Sequence, residues 1–151
     1  MKEDYYNVIG VMSGTSLDGV DLAHIKFNVN QKKWEFEIIE SETISYNSAW
    51  ISTLKAAVDF SETALEDLNQ EYTKLLAKII SDFIQRNKIE NIDAVCSHGH
   101  TILHQPQNGF TLQIGNLPLL SLDDSFNNLK FGEPFTTLLA FTSYQRPPLP
   151  G

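Results

Sequence analysis

The segment from Val8 to Asp21 limits most strongly how this chain can fold. An apolar, β-prone run leads into Ser-Gly-Thr-Ser, then Leu-Asp-Gly, and a second run of alternating polarity follows. This order predicts a strand, a tight loop and a returning strand. Glycines at both ends of the loop leave backbone N–H groups unshielded, and the hydroxyls between them add further donors. Such a concave set of donors suits phosphate oxygens.

The loop has two interpretations from spacing alone. Asp18 and Asp21 add carboxylates that can hold Mg²⁺, usually through its waters, which favours a phosphate site. Alternatively, Asp18-Gly19 is only a hairpin turn with polar neighbours. A Walker A loop is excluded, because the segment has no lysine and no Gly-x-x-x-x-Gly-Lys-Ser/Thr pattern.

Composition narrows the class of protein. The chain has 151 residues, 42% of them hydrophobic, which predicts about one globular domain. A net charge of −8 disfavours binding to nucleic acid or anionic membranes, which need a basic surface. No apolar run is long enough to span a bilayer, and the acidic start does not resemble a secretory signal. Cys96 is the only cysteine, so we expect no internal disulfide and a cytoplasmic location.

Hydrophobic periodicity predicts three strands at the start of the chain. Tyr5–Met12 is apolar at nearly every residue, so we expect a central strand covered on both faces. Val20–Val29 alternates, and a third strand follows with Trp34, Phe36 and Ile38 on one side. Three strands joined by tight loops predict an antiparallel meander.

Helical patterns follow the meander. Ser48 is a candidate cap for a short helix, and a long helix is predicted over about Glu62–Asn87, capped by Ser61 or by a Thr63/Glu66 capping box. Ile89–Ser97 then returns to a strand. The predicted class is therefore α/β, a three-stranded antiparallel meander followed by helices and further strands of one mixed sheet.

A second informative stretch begins at residue 97, at the predicted carboxyl end of that strand, where open α/β sheets place their ligands. It contains His98, Gly99, His100, Thr101 and His104. Three interpretations stay open: a zinc site, histidines that hydrogen-bond a sharp turn, and binding of a polyol or N-acetyl group by imidazole, hydroxyl and amide groups. Further along, Gln113 precedes a Gly115 turn and is available to a ligand.

Three motifs together resemble the anhydro-N-acetylmuramic acid kinases, sugar kinases of the actin/hexokinase-like superfamily. They are Gly-Thr-Ser-Leu-Asp-Gly at residues 14–19, His-Gly-His-Thr at residues 98–101 followed by His104, and Leu-Gln-Ile-Gly-Asn at residues 112–116. His100 stands where the family more often has glutamine. The resemblance implies a ribonuclease H-like/actin-like ATPase lobe, with ATP and Mg²⁺ as cofactors and a homodimer for the full-length proteins.

The resemblance also implies roles for individual residues. The first ATP-phosphate loop would comprise Gly14, Thr15, Ser16, Leu17, Asp18, Gly19, Val20 and Asp21, with Asp18 reaching the metal through water. The sugar, 1,6-anhydro-N-acetylmuramic acid, would be bound by His98, Gly99, His100, Thr101, His104 and Gln113. The family phosphorylates this sugar while water opens the anhydro ring, a step of cell-wall recycling.

The motif match ends after Leu117. The family continues to an Asp-Phe-Arg-like motif with the catalytic aspartate and to a Gly-Gly-Gln-Gly stretch, neither of which occurs in this chain. Asp123 and Asp124 come too early to replace that aspartate. We therefore expect a lobe over residues 1–120 and a divergent, irregular tail over 121–151 from a truncated or frame-shifted product. The alternative is a non-catalytic nucleotide- or sugar-binding lobe, or a fragment that needs a partner lobe.

Overall fold

The computed structural model describes residues 4–117 and 131–139, which form strands and helices of one α/β unit. Its elements are β1 (Asp4–Ser13), β2 (Gly19–Asn30), β3 (Lys33–Ser45), α1 (Ser48–Ala56), α2 (Glu62–Arg86), β4 (Ile92–Gln105), β5 (Phe110–Ile114) and β6 (Phe131–Leu139). Single 3-10 turns follow α1 at Ala57–Asp59 and β4 at Pro106–Asn108. The predicted α/β class is confirmed.

The strands form one mixed sheet in the order β3-β2-β1-β4-β5, and β6 also pairs with β4. β1, β2 and β3 are antiparallel neighbours, which confirms the predicted meander. β4 runs parallel to β1 and antiparallel to β5. β1 is therefore central, and its carboxyl end lies beside the middle of β4.

Two sequence predictions about the later strands are wrong. β4 does not end at Ser97 but continues to Gln105, because its second half pairs with β5. The predicted irregular tail is also wrong for Phe131–Leu139, which pairs in parallel with Ile92–Ser97. β5 pairs only with the second half of β4, so the backbone N–H and C=O groups on the same edge of the first half form their hydrogen bonds with β6. The register shifts across the stretch that includes Pro134, which has no N–H to donate, so the local pattern did not predict a strand.

Both helices belong to a single hydrophobic core with one face of the sheet. The core includes alternate residues of β1 and β2 and the apolar stripe of α2, among them Ile9, Val20, Leu76, Ile80 and Phe83. The long helix was predicted to within one residue. Ser61 caps it by accepting a hydrogen bond from Ala64 N at 3.2 Å, and the cap of α1 is Asn47, not Ser48. Within the described part of the chain, neither helix is long and apolar enough to cross a bilayer.

The opposite face of the sheet has different surroundings in the part of the chain that the structure describes. Within residues 4–117 and 131–139, no helix packs on this open face, which we define by Tyr6, Val8, Gly10 and Met12 of β1 with Ile25, Phe27, Trp34, Ala94 and Cys96 of the neighbouring strands. Met12 is 56% exposed and Trp34 is 63% exposed. The prediction that β1 is covered on both faces is therefore wrong for the described residues. An unbroken apolar run shows that a strand is central, but it does not show which part of the chain covers it.

Candidate functional site

The predicted phosphate loop lies between β1 and β2. It is a tight turn in which Leu17 N donates to Gly14 O at 3.4 Å, and Leu17 has a φ of 61°. Gly14, Thr15, Ser16 and Asp18 are exposed, while Leu17 is half-buried against the core. The hydroxyls and backbone of the loop are therefore exposed to solvent, while the Leu17 side chain packs against the core and holds the loop in place.

The returning strand fixes the other end of the loop. A Cβ on Gly19 would overlap the backbone carbonyl of Ile44, so only glycine allows β2 and β3 to approach here. Tyr46 N donates to Asp18 O at 3.4 Å. Val20 is fully buried, and Asp21 accepts from Thr43 Oγ1 at 2.5 Å on the open face. Gly19, Val20 and Asp21 thus position the loop, and Gly14–Asp18 form its exposed part.

A bulge in β4 brings the histidine segment to this loop. Val11 pairs with Ser97 but Ser13 pairs with His100, so β4 has an extra residue at this point. Gly99 lies in the bulge with a φ of 71°, a conformation that favours glycine. Ser13 Oγ, which is buried, donates to Gly99 O at 2.8 Å. Two motifs that lie 86 residues apart in the sequence are therefore joined directly.

The three histidines do not share one surface. His98 lines an open depression of about 680 Å³ with Met12 and Cys96. His100 is 2% exposed, and its ring lies 5.7 Å from the ring of Tyr72 on the helix side. His104 is exposed at the far end of β4, where its Nδ1 lies 2.8 Å from Thr111 Oγ1. Among the described residues, no group of three or more His, Cys, Asp or Glu side chains is arranged to hold a metal ion.

The second glycine turn connects β5 to both the histidine segment and α2. Gly115 N donates to Asn69 Oδ1 at 2.7 Å, and Asn116 Nδ2 donates to His98 O at 2.8 Å. Gly115 has a φ of 90°, and a Cβ there would lie 2.7 Å from Tyr72 Cδ1. Gln113 Nε2 donates to Thr101 Oγ1 at 3.2 Å, so these two predicted sugar ligands are neighbours.

A buried polar cluster beneath the loop was missed from the sequence. Tyr46 and Tyr72 hydroxyls lie 2.6 Å apart, and both interact with Ser13. Burial raises the pKa of both tyrosines. Burial also lowers the pKa of His100, and the neighbouring His98 lowers it further. Tyr72 lies in the apolar stripe of α2, and its hydroxyl is the one feature in the sequence that indicates a polar partner.

Three buried polar atoms of the second stretch have no hydrogen-bond partner within the described part of the chain. They are His98 Nδ1, His100 Nδ1 and Asn116 Oδ1. Buried polar atoms of native proteins are nearly always paired, so an orphan group is a candidate contact for a ligand or water. As whole residues His98 and Asn116 are half-buried, whereas His100 is buried.

The loop fits a hydrated Mg²⁺ better than a metal held by protein ligands alone. Asp18 is an exposed carboxylate beside two exposed hydroxyls, whereas the carboxylate of Asp21 is bonded to Thr43. Mg²⁺ commonly keeps several waters and takes one or two carboxylates plus substrate phosphates. Asp18 is therefore the residue that would hold it.

Comparison with known proteins agrees with the family resemblance of the three sequence motifs. Residues 6–127 match the family model described as anhydro-N-acetylmuramic acid kinase, seven residues beyond the predicted boundary at 120. A relative from Mannheimia succiniciproducens, named anhydro-N-acetylmuramic acid kinase, is 38% identical over 128 residues, which cover 80% of this chain and 32% of the relative. Relatives of the same name from Pasteurella multocida and Brucella canis are 37% and 33% identical, with 80% and 78% of this chain and 33% and 34% of the relatives covered. The chain spans about a third of the length of these curated relatives.

Proposed function

This chain belongs to the anhydro-N-acetylmuramic acid kinase family, and we propose that it carries the first phosphate loop and the sugar-facing segment of an ATP-dependent sugar kinase. Its substrate would be 1,6-anhydro-N-acetylmuramic acid, and its lobe would be of the actin-like type.

The hydrogen bond from Ser13 Oγ to Gly99 O carries this proposal. Phosphoryl transfer depends chiefly on positioning, because the phosphates and the accepting hydroxyl must be held in one geometry. Ser13 immediately precedes the phosphate loop, and Gly99 lies between the two histidines of the sugar segment. A hydrogen bond between these two residues supports a single site with two halves, the phosphate loop and the sugar segment.

Each half supplies a different kind of group. The exposed backbone and hydroxyls of Gly14, Thr15 and Ser16 donate hydrogen bonds to phosphate oxygens, and Asp18 holds the hydrated metal. When bound, Mg²⁺ neutralises charge on the transferred phosphoryl group. In the other half, His98, Thr101 and Gln113 can both donate and accept, as recognition of a hydroxylated N-acetyl sugar requires. His100 and Gly99 set the shape of the bulge, and His104 extends the site along β4.

The reaction consumes ATP, the anhydro sugar and water, and it gives ADP and N-acetylmuramic acid 6-phosphate. Water adds at carbon 1 as the anhydro bridge breaks, and the bridging oxygen at carbon 6 takes the phosphoryl group. A carboxylate must remove a proton from that water, and general-base assistance contributes about 10²–10⁴ in rate. The Asp-Phe-Arg-like motif of the family does not occur in this sequence, and Asp123 and Asp124 lie outside the described residues. We therefore propose that the 151-residue chain alone binds ligands but turns over little or no sugar.

The deciding experiment is a titration of the purified chain with Mg·ATP, with and without the anhydro sugar. Calorimetry measures ATP binding, and the release of ADP measures turnover. We expect weak ATP binding without sugar-dependent ADP. Asp18→Ala and Gly14→Val should weaken ATP binding, because one removes the metal ligand and the other blocks close approach of phosphate to the backbone.

Asp59→Ala is the matched control, since Asp59 is also an exposed carboxylate and lies in the 3-10 turn after α1. It should bind ATP like the unaltered chain. Sugar-dependent ADP release would instead show that a catalytic carboxylate lies within these 151 residues, with Asp123 and Asp124 the first to replace. Absence of any ATP binding would refute the phosphate-loop assignment.

A further inference from the structure

The turn between β4 and β5 contains the one Asn-Gly step of the sequence, at Asn108-Gly109. The two strands pair as far as Gln105 and Phe110, so only the 3-10 turn Pro106–Asn108 and Gly109 lie between them. Asn108 is exposed, and Gly109 has a φ of 63°, a left-handed conformation that glycine adopts without strain. The peptide bond after Asn108 therefore lies in a surface turn, and the next residue has no side chain to shield it.

This arrangement favours an intramolecular reaction of the Asn108 carboxamide. The Gly109 backbone nitrogen loses its proton and attacks Asn108 Cγ, the new C–N bond closes a succinimide ring, and ammonia leaves. Water then opens the ring at either carbonyl, which gives aspartate or isoaspartate. The Asn108 side chain donates from Nδ2 to Gln105 Oε1 at 3.1 Å, an exposed hydrogen bond whose acceptor water can replace. The fold therefore places little restraint on the attack.

The sequence contains one comparable step, Asp18-Gly19, where the same ring would close with loss of water. Asp18 is exposed, but Gly19 is buried and pairs with Ser45 of β3. A Cβ on Gly19 would overlap the backbone of Ile44, so this nitrogen has no room to turn toward a side chain. The two steps are alike in sequence and differ in how tightly the fold holds the glycine.

The turn at Asn108 adjoins residues of the candidate sugar segment. His104 pairs with Thr111 next to the turn, and His104 Nδ1 lies 2.8 Å from Thr111 Oγ1. In isoaspartate the backbone passes through the former side chain and gains one atom. Because loop length sets the register of a hairpin, an added backbone atom disturbs the pair nearest the turn first.

We propose that Asn108 is a modification site, at which spontaneous deamidation of the folded chain forms isoaspartate and displaces the His104–Thr111 pair. The product carries one more negative charge and one more backbone atom in the β4–β5 hairpin. The reaction needs only water and a base that removes the Gly109 proton. It does not depend on ATP or sugar binding, so this inference and the proposed function fail independently.

The test ages the purified 151-residue chain at mildly alkaline pH, once folded and once in urea, and follows it by peptide mass spectrometry. Deamidation raises the mass of the Asn108 peptide by one unit, and fragmentation identifies isoaspartate. We expect the folded chain to react no more than about tenfold slower than the chain in urea at Asn108, and more than about tenfold slower at Asp18. Asn108→Gln is the matched control, since it keeps an amide but must close a larger ring, and it should give no product. Circular dichroism establishes that the chain and this variant are folded before ageing.

A second measurement follows the His104 ring by NMR in the aged chain and in Asn108→Asp. Its signals should move further in the isoaspartate product, because Asn108→Asp adds the charge without the extra backbone atom. Reaction at Asn108 only in urea, or equal retardation of the Asn108 and Asp18 steps by folding, would overturn the proposed site. Equal movement of the His104 signals in the two chains would overturn the proposed change in the hairpin.

Discussion

The two faces of the sheet are built from alternate residues of the same strands, yet their surroundings differ completely. On the helix side, Ile9 and Val20 are fully buried, and the tyrosine cluster lies beneath the loop between β1 and β2. On the open side, Met12 and Phe36 are mostly exposed. Adjacent residues of one strand therefore differ in their importance for stability, because packing on a second layer and not the strand itself provides most of the stabilisation.

Truncation of a large side chain should give the largest difference between the faces. Phe83→Ala removes a fully buried ring of α2 and should lower the free energy of unfolding by about 3–5 kcal/mol. Phe36→Ala, at a residue that is 70% exposed on β3, should change it by less than about 0.5 kcal/mol. Urea unfolding followed by circular dichroism measures both. Similar losses for the two variants would show that the open face is covered in solution.

Two glycines offer a matched pair. Gly115→Ala places a Cβ 2.7 Å from Tyr72 Cδ1 and forces alanine into a φ of 90°, so it should cost about 1–3 kcal/mol. Gly10→Ala on the open face meets only Ile25 Cδ1 at 3.6 Å, an ordinary contact, and should be within about 0.5 kcal/mol of the unaltered chain. Thermal unfolding of the two variants side by side tests this, and a larger loss for Gly10→Ala would reverse the assignment of the faces.

The tyrosine pair tests whether the helix side depends on polar as well as apolar contacts. Tyr46→Phe leaves the buried Tyr72 hydroxyl without that partner and should cost about 1–2 kcal/mol. Because the second substitution removes a group that has already lost its partner, Tyr46→Phe with Tyr72→Phe should cost less than the sum of the two single changes. A double-mutant cycle in urea gives the coupling. Strict additivity would mean that the two hydroxyls do not interact.

The smallest expected effect is a pH dependence of the free energy of unfolding, which arises from two histidines. Burial lowers the pKa of His100, with a further contribution from His98, and burial also lowers the pKa of His24, which is bonded to Asn7. Their folded pKa values therefore lie below the unfolded value of about 6.5. As the pH falls through 6.5, the unfolded chain takes up protons first, so the free energy of unfolding decreases until the folded pKa is passed.

Urea unfolding at a series of pH values between 7.5 and 5.5 measures the slope of the free energy of unfolding against pH. His100→Gln should flatten it more than His24→Gln, because His100 is the more deeply buried of the two. An unchanged slope in His100→Gln would show that water or an unseen partner already solvates this imidazole.

Part of the fold was predictable because local signals were strong. The meander, the long helix and the loop at Gly14–Asp18 follow from alternation, from apolar spacing of three and four, and from glycines with hydroxyls between them. β6 was not predictable, since it forms on a free edge of β4 and not from its own periodicity. The tyrosine cluster was missed because a tyrosine in an apolar stripe looks like any other core residue until its hydroxyl has a partner.

The residues of the candidate site were predictable from the sequence, but their arrangement in space was not. Both motifs were identified, and their proximity requires the parallel pairing of β1 with β4 and the bulge at Gly99. The same bulge separates His98 from His100, although residues two apart in a regular strand share a face. One extra residue reverses which side chains face the open side of the sheet and which enter the core.

The sequence by itself determined the family, the α/β class, the early strands and the loop, because these depend on residues that are close together in the chain. The tertiary structure decided which face of each strand is buried, which histidines share a surface, and that Ser13 meets Gly99. These depend on pairing between segments as far as 86 residues apart, where strand register and one hydrogen bond, and not local propensity, set the outcome.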